Sequence, residues 1–294
     1  MASNSQTNSW AVIALLISST MWGVLWYPLR LLDNQGMDGL TTSFVMYVAA
    51  SLVGLPWLRG MMTSWAKQPL TIVAILFASG WTNIAFVLAM LDGNVVRVLL
   101  LFYLSPLWAV LLSRLFLGEQ IGLRGLLTLA LAMIGAAIML WHPGAASLWP
   151  QSAADWYALT AGMSFAALNV AVRHGQHITQ AHKANISWWG VVLLSAVWLL
   201  LADNGLPAVA IETYGWAVLL GIAGIVIMTL TVQYGVTHMP IQRSAIILLF
   251  EIVAGAVSAQ ILANESVLLR EWIGGGLILL AGYLALQRSE SSEI

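Results

Sequence analysis

Apolar and polar positions alternate in long blocks along the chain. Ten apolar stretches, bounded by Gly, Pro, Asn or charge, cover 10–32, 40–58, 69–91, 95–117, 123–141, 154–172, 185–202, 214–237, 241–263 and 270–287. A helix needs roughly 20 apolar residues to cross a bilayer. The pattern therefore predicts an all-α integral membrane protein with ten transmembrane helices. The stretches at 95–117 and 241–263 begin just before Arg97 and Arg243, whose long side chains reach an interface by snorkelling. The first stretch follows "MASNSQTNS", which has no basic segment, and it is long enough to span; it reads as a retained helix rather than a signal peptide.

Composition agrees with this pattern. Hydrophobic residues make up 60% of the 294 and charged residues 8%, with a mean hydropathy of +0.87. Soluble domains are about 45–50% apolar and about 25% charged, so this chain lacks the charges to cover a water-facing surface. A net charge of −1 gives no electrostatic case for nucleic acid. With no cysteine, disulfides, thiolate metal sites and a cysteine nucleophile are excluded.

The charges that remain are unevenly placed. With the N-terminus in the cytosol, Arg59, Lys67, Arg114, Arg124, Arg173, Lys183, Arg243 and Arg288 fall at cytosolic ends, and Arg30, Arg97 and Arg270 at outer ends. Basic residues mark the cytosolic side. An even number of spans then puts both termini inside. Trp57, Trp65, Trp141, Trp149 and Trp216 fall near predicted interfaces, where tryptophan is favoured.

The chain also repeats. Shifted by 146 residues, Trp10 falls on Trp156, Ser18 on Ser164, Val45 on Val191, Arg97 on Arg243, Glu119 on Glu265 and Arg124 on Arg270. Three charged matches at one offset stand out in so charge-poor a chain. The shift pairs five spans with five, dividing the chain into halves 1–146 and 147–294. An odd number of spans per half forces the halves into opposite orientations. Inverted repeats of this kind build many secondary transporters, with the substrate site near the midplane between the halves.

"SPLWAVLLSRLFLGEQIGLRGLLTLALAMIGAAIML" and "FEIVAGAVSAQILANESVLLREWIGGGLILLAGYL" resemble the EamA repeat of bacterial drug/metabolite transporters: a Pro in the fourth helix, Gly-Glu after it, a Gly-rich fifth helix. "MWGVLWYPLR" is similar to the family's opening helix. The second half departs from the pattern. Asn264 stands in place of Gly118 before the Glu, and Ile252 follows Glu251 where a Pro is common. The resemblance implies ten helices in two inverted five-helix halves. It also implies export of small metabolites, including amino acids, across a bacterial inner membrane, as in the similar aromatic amino-acid exporters.

A transporter needs polar or aromatic groups at mid-depth. Those available are Trp22, Trp26, Trp81, Asn83, Tyr103, Trp108, Ser164 and Glu251, with Asn169 and Tyr234 deeper toward the cytosol. Trp22, Trp26 and Arg30 share one helix face. Such rings either pack between helices or line a pocket for a planar or cationic substrate. Glu251 lies one residue from the centre of its span. There a carboxylate costs about 2.5–3.5 kcal/mol on insertion scales unless it faces the bundle or water. It is open to three roles: structural acid, proton carrier, or counter-ion to an amine. Pro106 removes a backbone hydrogen bond and predicts a kink or hinge. Glu119 and Glu265 are each placed to cap the N-terminus of the next helix. His174, His177 and His182 in "RHGQHITQAHK" lack a matching acid or cysteine set and read as a solvated basic loop.

No P-loop, nucleotide fingerprint or nucleophile–base–acid pattern occurs in the sequence. The expectation is a secondary transporter, not an enzyme, that exports an amino acid or related amine-bearing compound by alternating access. It needs no cofactor or metal and works with a small-molecule substrate, the lipid bilayer and, if driven, protons; the oligomeric state is left open. The alternatives are an organic-cation or drug transporter and a non-transporting membrane protein.

Overall fold

A computed structural model of the chain describes residues 9–58, 68–92, 95–141, 150–201, 205–263 and 268–286. Arg59, Trp65, Lys67, Trp149, Asp203, Asn264, Glu265 and Arg288 lie outside the described residues, as do the side chains of Asp92 and Arg97.

Among the described residues the secondary structure is entirely helical. The helices are α1 Ser9–Asn34, α2 Gly39–Val53, α3 Pro69–Asp92, α4 Val95–Phe102, α5 Ser105–Leu117, α6 Leu123–Leu140 and α7 Ala153–His174. They continue with α8 Gln180–Leu201, α9 Ile211–Leu219, α10 Val226–His238, α11 Ile241–Leu248, α12 Phe250–Ala263 and α13 Leu269–Leu286. Among the described residues, six stretches are both long and apolar enough to cross a bilayer: Ser9–Asn34, Pro69–Met90, Leu123–Leu140, Gln180–Leu201, Ile211–His238 and Ile241–Ala263. Gly39–Val53 and Ser105–Leu117 are apolar but shorter.

Local chemistry sets several helix ends. Asp38 Oδ1 accepts from the N–H groups of Leu40 and Thr41, both at 3.0 Å, and caps α2. Ser152 and Asp155 form a reciprocal capping box at the start of α7. Gly118 ends α5 at φ 65°, the left-handed cap conformation that glycine adopts without strain. That requirement accounts for the Gly of the Gly-Glu pair.

Four predicted stretches are not continuous α-helices. The 40–58 stretch is α-helical only to Val53; a 3₁₀ turn, Leu55–Leu58, follows, because Pro56 has no N–H to continue the ladder. The 214–237 stretch starts earlier, at Ile211, and contains a π-helical turn, Leu220–Ile225, between α9 and α10. The 95–117 stretch breaks at Tyr103 and Leu104. Pro106 cannot donate to the Phe102 carbonyl, so the helix restarts at Ser105 with Pro106 in its first turn.

The 241–263 stretch breaks too, at Leu249, without a proline. Here the backbone tightens into i→i−3 bonds, from Leu249 N–H to Ile246 O at 3.2 Å and from Ile252 N–H to Leu249 O at 3.1 Å. Leu249 follows Tyr103 by 146 residues, the offset at which the sequence overlays itself.

Helix packing places these bends at the centre. α1 lies against α10 and α12, and α3 lies against α7 and α8. α5 packs on α7 and α11, and α6 pairs with α13. One buried cluster gathers Phe102, Tyr103, Leu129, Ala161, Ile246, Leu249 and Ile278, joining both bends to α6, α7 and α13. Two glycines permit close approaches to the bends. A Cβ on Gly162 of α7 would stand 2.4 Å from the Phe102 carbonyl oxygen, the oxygen that Pro106 leaves without a donor. A Cβ on Gly23 of α1 would stand 2.6 Å from the Glu251 carbonyl oxygen.

Candidate functional site

The two bends and α7 enclose a small cavity of about 20 Å³. Phe102, Tyr103, Ser105, Pro106 and Ala109 line it from the first bend. Phe165, Ala166 and Asn169 line it from α7, and Ala245, Leu248, Leu249 and Glu251 from the second bend. A volume near 20 Å³ holds about one water molecule. Any metabolite would need the walls to separate.

Glu251 is the charged group in this wall. It sits in the first turn of α12, not in the middle of a continuous helix. That position lowers the cost of burying it, because a helix N-terminus carries partial positive charge and free N–H groups. The Tyr103 hydroxyl, presented by the opposite bend, hydrogen-bonds to its carboxylate. Each bend thus delivers one partner of a polar pair, and the pair meets beside the cavity.

Four of the residues singled out from sequence come together here: Tyr103, Pro106, Asn169 and Glu251. The others are held elsewhere. Trp26 donates from Nε1 to Ser258 Oγ at 2.9 Å, and the Arg30 guanidinium lies 4.6 Å over its ring. Trp22 packs with Leu25, Tyr47 and Trp188. Trp81 meets Tyr157 edge to face, with ring centroids 6.4 Å apart. Asn83 reaches the Tyr47 hydroxyl and leaves its own Oδ1 without a hydrogen-bond partner. Trp108 packs in a separate cluster with Leu15 and Val170, its Nε1 unpartnered. Ser164 Oγ donates to the Ala78 carbonyl at 3.1 Å, tying α7 to α3. The Tyr234 ring lies 4.2 Å from that of His238.

Sequence reasoning did not single out Phe102, Ser105 or Phe165. Ser105 had a signal: it is the residue that Glu251 overlays at the 146-residue shift. The two phenylalanines had none, since an apolar ring in an apolar stretch reads as packing.

Glu119 does not cap the next helix, α6, as its sequence position suggested. Its Oε2 instead accepts from the backbone N–H of Ile241, at the start of α11, at 3.0 Å. Its Oε1 forms an ion pair with Arg173. The capping chemistry is as expected, but the helix capped lies in the other half of the chain. No group of three or more potential metal ligands occurs among the described residues. His174 instead pairs with Thr71 through Nδ1 at 3.1 Å.

Known proteins resemble this chain. An uncharacterized transporter of Archaeoglobus fulgidus is 25% identical over 280 residues, covering 94% of this chain and 95% of that one. An uncharacterized transporter of Pseudomonas aeruginosa is 27% identical over 143 residues, 49% of this chain and 43% of that one. A solved crystal structure superposes with a TM-score of 0.76 over 97% of this chain and all of that one; at 17% identity it shows a shared fold alone. Residues 9–141 match the EamA-like transporter family. The long apolar helices make the chain a multi-pass membrane protein, and over residues 9–141 it is similar to the EamA-like transporter family of the drug/metabolite transporter superfamily.

Proposed function

We propose that the chain is a secondary transporter that moves an amino acid or related amine-bearing metabolite outward across a bacterial inner membrane by alternating access. In this reading it has ten spans in two inverted halves, 1–146 and 147–294, with both termini cytosolic. The observation that carries the reading is the pair of bends, 146 residues apart, closing on one cavity with Glu251 in its wall. The helix contacts support the same symmetry: α1 lies on α10 as α7 lies on α3. Bent helices at the interface of repeats are a recurring way to build a transport site.

Glu251 serves in this proposal as the counter-ion of the substrate amine, with Tyr103 orienting it. Among the described residues, no second acid lines the cavity to complete a proton relay. The aromatic rings of Phe102, Tyr103 and Phe165 beside the carboxylate would also suit a bulkier organic cation, which is the second reading.

Purified protein in proteoliposomes, tested against a panel of amino acids and organic cations, separates the two and tests transport itself. Charge-assisted hydrogen bonds contribute about 1.5–3 kcal/mol, so Glu251→Gln should weaken amine binding by roughly 10–100-fold at every pH. Proton-driven accumulation lost with exchange intact would make Glu251 a proton carrier instead. Unchanged transport would make it a structural acid.

A further inference from the structure

The helix ends around Glu119 form a polar knot that substrate binding does not require. Glu119 holds the start of α11 through Ile241 N–H and holds the end of α7 through Arg173. Arg173 Nη1 also donates to the Thr237 carbonyl at 3.0 Å, at the end of α10. Lys183, fully buried at the start of α8, donates to the Val172 carbonyl at 2.6 Å and to Thr237 Oγ1 at 3.2 Å. Two cations thus sit on the carbonyl ends of α7 and α10, and one carboxylate sits on the N–H end of α11. All three placements follow the helix dipoles.

The knot joins the segments that line the cavity. Asn169 and Arg173 are four residues apart on α7, and Ile241 and Ala245 four apart on α11. At 1.5 Å per residue each step is about 6 Å. On α5 the face carrying Ala109 continues through buried Ser113 toward the Gly118 cap and Glu119.

We propose that Glu119 and Arg173 form the latch of a gate at this end, cytosolic in the proposed topology, and that breaking the pair admits water to the cavity from that side. The latch rests on the alternating-access reading, but its test uses no substrate, so the two can fail separately. The chain has no cysteine, so one introduced thiol is unique. Ser113→Cys reports from between cavity and latch, and Ser258→Cys, beside Trp26 on the far side of Glu251, reports from the other end.

Each would be labelled with a membrane-impermeant maleimide, in inside-out and right-side-out vesicles respectively. Glu119→Gln and Arg173→Gln should each speed labelling of Ser113→Cys by about three- to tenfold, at and above the upper end for an exposed charge pair because both side chains are only 22% exposed. The double variant should be no faster than the faster single. Labelling of Ser258→Cys should not rise. Unchanged Ser113→Cys labelling in folded variants would overturn the latch. Faster labelling at both positions would show general loosening rather than a gate. Failure of both single variants to fold would make the pair a folding element and overturn the latch as well.

Discussion

Replacing Gly162, which does not itself line the cavity, by alanine should disturb the first bend. The added methyl carbon would stand 2.4 Å from the Phe102 oxygen, 3.1 Å from its carbonyl carbon and 3.2 Å from its Cα. Carbon and carbonyl oxygen rest at about 3.3–3.6 Å, so α7 or the bend must yield by about 1 Å. The obstacle is backbone, which cannot swing aside as a side chain can. Overpacking of this kind costs about 1–3 kcal/mol, and alanine returns up to about 1 kcal/mol of helix propensity. A net loss of about 2 kcal/mol corresponds to a melting point about 4–8 °C lower. The shift at Phe102 carries the adjacent Tyr103, so the bond to Glu251 should lengthen and substrate affinity should fall as well. Gly282→Ala is the matched control: its methyl meets nothing within 4 Å, and the melting point should hold or rise slightly. Thermal melting in detergent, followed by circular dichroism, measures both. If Gly162→Ala melted within a degree of Gly282→Ala, the close approach of α7 to the bend would not be what holds the bend in place.

Trp22→Ala and Trp81→Ala should lower the melting point, since both rings pack in buried clusters and neither lines the cavity, and should leave affinity within about threefold; a tenfold loss of affinity in either would return that ring to the substrate pocket. Tags at both termini should be accessible only from the cytosol, and a tag at Asp203 only from outside; cytosolic labelling at Asp203 would remove the inverted-repeat argument.

The sequence alone carried the membrane character and the all-helical class. Both follow from one-dimensional quantities: length of apolar run, scarcity of charge, and absence of any water-facing pattern. The bend at Pro106 was legible for the same reason, because a missing N–H is a property of the residue itself. So was the need of the Glu119 carboxylate for free helix N–H groups, although not which helix would supply them.

Tertiary structure decided the rest. The second bend has no proline and depends on packing: α1 comes close at Gly23, and Glu251 begins a new helix where the sequence reads as continuous. That break changes the meaning of Glu251, from a costly carboxylate at mid-helix to one placed on a helix N-terminus beside a tyrosine hydroxyl. Depth along a span can be read from sequence; azimuth against neighbours cannot, because every face of these helices is apolar. Trp22, Trp81 and Glu251 therefore look equally central in one dimension, and only the packing of helices separates the carboxylate at the cavity from the rings that fill space elsewhere. Glu119 makes the same point across 122 residues of chain, since its partner Ile241 becomes a neighbour only when the chain folds.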